Sequence, residues 1–91
     1  MPGSWTGLDA NAARERIFAG IGADGMTAHE LVADGPHRVI AVVEPTGLDG
    51  AGNRWSMLLT ELLWIEDGKI TDIRPFWWDV AELNRIADSR R

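Results

Sequence analysis

The sequence predicts an α+β domain in which a curved antiparallel sheet of about four strands lies between a leading helix and a short closing helix. Three observations carry this reading. First, the stretch WSMLLTELLWIEDGKITDIRPFWWD, from Trp55 to Asp79, holds two apolar runs joined by Glu66-Asp67-Gly68-Lys69. Asp-Gly between apolar runs is a strong hairpin signal, because a type I′ turn needs positive φ at both central residues. Second, Met26 to Ala33 and Arg38 to Glu44 read as strands around the turn residues Asp34-Gly35-Pro36-His37. Third, a capping-box pattern opens a helix at each end of the chain: Thr6-Gly7-Leu8-Asp9, and Asp79-Val80-Ala81-Glu82 with an aspartate cap.

The leading helix is expected from Gly7 or Leu8 to Ile21, with Ala10, Ala13, Ile17 and Ile21 on one stripe and Gly20, Gly22 and Gly25 ending it. Pro45 to Gly52 reads as a flexible glycine-rich connection. It is no phosphate loop, since no GxxxxGK follows a strand and no helix start follows the glycines. In the closing helix, Leu83 and Ile86 are placed to pack. There are no repeats and no linker, so residues 1–91 read as a single domain.

If Glu66 faces Lys69 and the pairing continues unbroken, Ile65 meets Ile70, Leu63 meets Asp72, Glu61 meets Arg74, Leu59 meets Phe76 and Met57 meets Trp78. All of these share one face. The other face collects Leu58, Thr60, Leu62, Trp64, Thr71, Ile73, Pro75 and Trp77. Neither resembles a solvated face, so each requires a partner.

A hydrophobic fraction of 45% and a charged fraction of 25% are those of a globular domain, and 91 residues give it a small core. Zero cysteines exclude disulfides, thiolate metal sites and cysteine nucleophiles, leaving self-association as the available reinforcement. The net charge of −5, without a basic block, argues against nucleic acid as a partner. No apolar run approaches the roughly 20 residues of a membrane span, and the first residues do not read as a leader. A cytoplasmic location is expected, with no membrane contact.

Chemistry centres on Glu61. A carboxylate in an apolar pocket suits proton transfer beside a carbonyl or to a ring oxygen. Against this stands Arg74, which in the unbroken register lies directly across and would make a structural cross-strand pair; a ligand-anchoring pair is the third reading. Asp72, diagonal to Glu61, could share a proton with it, or be a solvated strand end. His29 could serve as a base, although a lone strand histidine is more often a hydrogen-bonded structural residue, and His37 beside the turn reads as solvated. No second histidine stands at ligand spacing, so no metal is expected. No cofactor is implied either.

The aromatic content is high. Of the 5 tryptophans, Trp55, Trp64, Trp77 and Trp78 fall on the hairpin. On the Glu61 face, Trp55, Met57, Leu59, Phe76 and Trp78, with Arg74, read either as core or as the wall of a site for a flat hydrophobic molecule. On the opposite face Leu58, Leu62, Trp64, Ile73 and Trp77 read as a homodimer interface.

The acidic Glu61, the EDGKI turn, the aromatic pair Trp77-Trp78 and the helix-opening Asp79 together resemble the C-terminal half of the SnoaL-like polyketide cyclases and ketosteroid isomerases. These belong to the cone-shaped nuclear-transport-factor-2-like superfamily. The opening Pro-Gly-Ser-Trp-Thr-Gly-Leu-Asp-Ala resembles the family's entry to its third helix, and Val32-Ala33-Asp34-Gly35 with Val39-Ile40-Ala41-Val42 its first long hairpin. The resemblance implies a cone lacking the family's N-terminal helix pair, with a pocket on its concave face and Glu61 as general acid or base. Trp64 stands where the family has a polar residue, and Ile73 and Arg74 occupy the neighbourhood of its catalytic histidine. The implied function is binding of a small hydrophobic molecule, with isomerase, cyclase or hydrolase chemistry. The alternative is a non-catalytic dimerisation or ligand-sensing module whose pocket is vestigial.

Overall fold

A computed structural model describes residues 5–6 and 9–91, with side chains from Arg14 onward. In chain order the elements are β1 (Trp5–Thr6), α1 (Asp9–Gly20), β2 (Ala23–Ala33), β3 (Arg38–Leu48), β4 (Arg54–Ser56), β5 (Leu59–Glu66), β6 (Lys69–Trp77) and α2 (Val80–Ser89). The fold is α+β, as the sequence predicts. Its antiparallel sheet runs β1-β6-β5-β3-β2, with the short β4 also paired to β3. The two strands beyond the expected four are β1 and β4, of 2 and 3 residues. Among the described residues, no helix is long and apolar enough to cross a membrane.

The Asp67-Gly68 turn forms as predicted, with φ of 51° and 75° and Glu66 opposite Lys69. The register then departs from expectation. After Ile65↔Ile70, Thr71 is an extra residue in β6, and pairing resumes at Trp64↔Asp72, Leu63↔Ile73, Leu62↔Arg74, Glu61↔Pro75, Thr60↔Phe76 and Leu59↔Trp77. The Thr71 hydroxyl donates to the Trp64 carbonyl at 3.2 Å. Because side chains alternate with a period of two, this β-bulge exchanges the faces of β6 beyond it. Ile73, Pro75 and Trp77 join Leu59, Glu61 and Leu63 on the inner face, while Asp72, Arg74, Phe76 and Trp78 turn outward. Exposure follows the exchange: Ile73 and Trp77 are 0% and 7% exposed, Phe76 and Trp78 54% and 62%.

α1 begins at Asp9, and Thr6, expected in its cap, lies in β1 opposite Asp72. Gly7 and Leu8 fall outside the described residues, as do the side chains of Ala10 and Ala13. The stripe that meets the sheet includes Arg14, Ile17, Phe18 and Ile21, spaced i, i+3, i+4 and i+7 as one helix face requires. Ile21 is fully buried, and its carbonyl accepts the Trp55 indole N–H at 3.0 Å. α2 starts where predicted: the Asp79 carboxylate accepts from the Glu82 N–H at 2.9 Å, and Leu83, Ile86 and Ala87 are buried. The main core joins these residues to Ala41, Val43, Trp55, Met57, Leu59 and Trp77.

The segment from Pro45 to Gly52 is not a flexible connection. β3 continues through it to Leu48, and a Cβ at Gly47 would collide with the Gly22 carbonyl and the Trp55 ring. A Cβ at Gly50 would collide with the Ser89 carbonyl. Both glycines therefore mark close backbone approaches. Between them Asp49, nearly buried, accepts the N–H groups of Asn53 at 2.9 Å and Ala51 at 3.0 Å, and Arg85 of α2 reaches its other oxygen at 3.4 Å.

Candidate functional site

Glu61 lies on the inner face of β5, opposite Ala41 of β3 and Pro75 of β6. Both neighbours are small, which leaves room above the sheet for a carboxylate and a partner. That partner is Arg14 of α1, whose Nε and Nη2 donate to the two carboxylate oxygens at 2.8 and 2.9 Å. Glu61 is 2% exposed, whereas the Arg14 side chain keeps 30% of its surface in solvent. The geometry is the bidentate fork that makes arginine and carboxylate a strong pair. Arg14 is held further by the Phe18 ring, 4.7 Å from its guanidinium carbon, and by Met26 sulfur, which lies 3.6 Å from Nη2.

Around this pair the wall is apolar. Ile17 and Phe18 close it from α1, Leu59 from β5, and Ile73, Pro75 and Trp77 from β6. Phe18 meets Trp77 edge to face, with ring centroids 6.1 Å apart and planes at 77°. The space left among them is about 10 Å³, near the minimum for one water molecule. The Trp77 indole N–H is buried and has no hydrogen-bond partner among the described residues.

The bulge redistributes the expected site residues. Glu61 and Leu59 line the chamber. Trp55 and Met57 are on the inner face but are packed into the core. Arg74, Phe76 and Trp78 lie on the outer face, so the expected Glu61 and Arg74 pair does not form: Leu62 faces Arg74, and a helix arginine takes the carboxylate. Asp72 is likewise outside, next to Trp64, and cannot share a proton with Glu61. His29 sits exposed on the edge strand β2, at an irregularity of its pairing with β3, with Nε2 2.8 Å from Glu44. The three expected catalytic groups therefore do not assemble. His37 hydrogen-bonds through Nδ1 with the Ile65 carbonyl at 3.2 Å.

Of the expected interface set, Ile73 and Trp77 are buried beneath α1 and are corrected to core. Leu58, Leu62 and Trp64 remain on the outer face, half-buried, beside exposed Phe76 and Trp78. Trp64 is flanked by two guanidinium groups, Arg38 at 5.7 Å and Arg74 at 5.2 Å from the ring centre. A wider groove of about 440 Å³ runs between β4 and the start of α2, past Trp78. Its arginines, Arg54 and Arg85, are engaged by Asp24 at 3.0 Å and by Glu82 and Asp49. Among the described residues, no three or more histidines or carboxylates cluster as metal ligands would.

The sequence carries a signal for Arg14 and another for Trp77. Arg14 occupies the stripe defined by Ile17 and Ile21, and a charge on a buried stripe demands a buried counter-charge. In β6 the charged Asp72 and Arg74 alternate with Ile73, Pro75 and Trp77, a pattern that by itself buries the apolar set. Comparison of the chain with protein-family models, with curated proteins and with solved structures finds no match.

Proposed function

We propose that this chain is a small-molecule-binding domain of the SnoaL-like kind, a cone whose ligand enters between α1 and the inner face of β5 and β6. The observation that carries the reading is the buried Glu61 carboxylate, forked by Arg14 inside an otherwise apolar wall. Burying an ion pair rarely improves on apolar packing of the same volume, so its presence in a small core favours a recognition role over a stabilising one. The space beneath α1, about 10 Å³, has room for no more than a water. Binding then requires α1 to lift, breaking the Arg14 and Glu61 contact and admitting a hydrophobic guest to the wall formed by Phe18, Ile73 and Trp77. Once released from Arg14, Glu61 would be the acid or base of any isomerase, cyclase or hydrolase turnover. The test is a thermal-shift and amide chemical-shift titration with a panel of uncharged cyclic compounds. Concentration-dependent stabilisation with shifts at Phe18, Glu61 and Trp77 supports binding; a flat response across the panel at millimolar concentration contradicts it.

A second reading is favoured by a different observation, the exposure of Phe76 and Trp78 beside Leu58, Leu62 and Trp64. In it the domain is a non-catalytic module that dimerises through the outer face of its sheet. Sedimentation at micromolar concentration read together with the titration distinguishes the two, since the first reading predicts ligand response in a species of any size, and the second predicts a dimer without one.

A further inference from the structure

The groove between β4 and the start of α2 shares no residue with the chamber beneath α1. Its space, about 440 Å³, falls within the range of small-molecule sites, about 300 to 1,000 Å³, and it is open without any movement of a helix. Trp78 supplies its aromatic surface. The Trp78 backbone N–H donates to the Leu58 carbonyl at 3.2 Å, and the indole Nε1 donates to the Thr60 hydroxyl at 2.9 Å, so the residue is held from both backbone and side chain. Yet it remains 62% exposed. The polar edge of the indole is spent on the protein, and what Trp78 offers a ligand is a flat, pre-oriented hydrocarbon surface.

Both signs of charge line the same groove: Arg54 from β4, and Asp79, Glu82 and Arg85 from the start of α2. The two arginines are already matched. Arg54 donates to the two oxygens of Asp24 at 3.0 and 3.3 Å, and Arg85 donates to Glu82 at 2.6 Å and to Asp49 at 3.4 Å. A ligand ion therefore gains little, since an anion meets Asp79 and Glu82 and a cation meets Arg54 and Arg85. Hydroxyl groups both donate and accept, so they suit guanidinium and carboxylate at once. A flat face of C–H bonds with hydroxyls around its rim is the shape of a pyranose, and its weakly positive hydrogens complement the negative face of an indole. We propose that this groove is a carbohydrate site, in which a neutral pyranose stacks on Trp78 and its hydroxyls bond to Arg54, Asp79, Glu82 and Arg85. The site is independent of the binding reading above, and a Trp78 engaged by a sugar is withheld from the sheet-face dimer.

Amide and indole ¹H–¹⁵N shifts of the full chain report this directly. The probes are the methyl glycosides of glucose, galactose, mannose and N-acetylglucosamine, with glucosamine, glucuronate and cyclohexanol as comparisons. At least one neutral glycoside should shift the Trp78 indole signal and the amides of Asp79 and Glu82 saturably at tens of millimolar, while the amides of Phe18 and Glu61 stay unmoved. Cyclohexanol, glucosamine and glucuronate should each bind several-fold more weakly. Trp78→Ala should weaken binding by about tenfold or more, the order for truncating an aromatic anchor, and Trp78→Phe, which keeps a ring, should retain part of it. Unchanged binding in Trp78→Ala, cyclohexanol binding as tightly as the glycoside, or tighter binding of either charged sugar would overturn the inference. So would a flat response to every neutral glycoside. Shifts confined to Phe18 and Glu61 would also overturn it, while leaving the reading of the chamber beneath α1 standing.

Discussion

Arg14 and Glu61, 47 residues apart in sequence, meet through two hydrogen bonds of 2.8 and 2.9 Å and tie α1 to the middle of the sheet. The contact is asymmetric: the carboxylate is buried and the guanidinium is partly solvated. Removing the arginine strands a charge, whereas removing the glutamate releases one to water. Arg14→Leu should therefore destabilise the fold by about 3 kcal/mol, the lower end of the range for breaking a buried pair. Glu61→Leu should cost less. The double replacement should recover most of the loss, and urea unfolding of the four proteins gives the coupling as a cycle. Strict additivity would show that the pair does not act as a unit.

Trp77 and Trp78 are adjacent but face opposite ways. Trp77→Ala should cost about 3 to 5 kcal/mol, as for large aromatic side chains removed from a core. Trp78→Ala, which loses an exposed ring and its 2.9 Å hydrogen bond to Thr60, should cost about 1 kcal/mol or less. The bulge at Thr71 is what separates them. Had the register run unbroken, the costs would be reversed, so the same pair of unfolding curves tests the register.

The outer face gives a prediction about association. If Phe76 and Trp78 anchor a dimer, Phe76→Ser with Trp78→Ser should convert it to a monomer in sedimentation while the protomer stays folded. Retention of the dimer would move the interface elsewhere.

Asp49 makes stability depend on acid. The Asn53 N–H beside it, with Ala51 N–H and Arg85, holds its carboxyl below the ordinary aspartate value of 3.8, and burial opposes them without prevailing. A carboxyl whose folded value is depressed stabilises fully above its unfolded value and loses that contribution as pH falls through the folded one. Stability should thus decline below about pH 4. Asp49→Asn should lower stability at neutral pH and flatten this acid limb; an unchanged acid limb would remove Asp49 from the explanation.

Gly50→Ala should be destabilising by more than about 1 kcal/mol, since its Cβ would enter the space of the Ser89 carbonyl. Gly35→Ala, where nothing lies near and only a φ of 75° is strained, should cost about 1 kcal/mol. A Gly50 variant as stable as the Gly35 variant would mean that the loop can move away from α2.

What the sequence made legible was local. The Asp67-Gly68 turn, the Asp79 cap and the inward alternation of Leu59 and Glu61 each depend on a few neighbouring residues and are found as expected. The register of β6 failed because one extra residue at Thr71 inverts everything beyond it, and a threonine carries no mark that it will bulge. The glycine content of Pro45 to Gly52 suggests freedom, but Gly47 and Gly50 answer to the approach of Gly22 and Ser89 from distant parts of the chain. The sequence points to Glu61 but not to its partner. Arg74 is near in the hairpin, and Arg14 becomes near only once α1 packs.

If α1 is a lid that Arg14 latches to Glu61, as the binding reading requires, amide hydrogen exchange of residues 14–21 shows it most directly. Local opening should let these amides exchange well before those of β3 and β5, and Arg14→Gln should accelerate α1 alone, leaving the central strands unchanged. Exchange of α1 only together with β3 and β5, at the free energy of global unfolding, would mean that the helix does not lift and that the chamber is simply core.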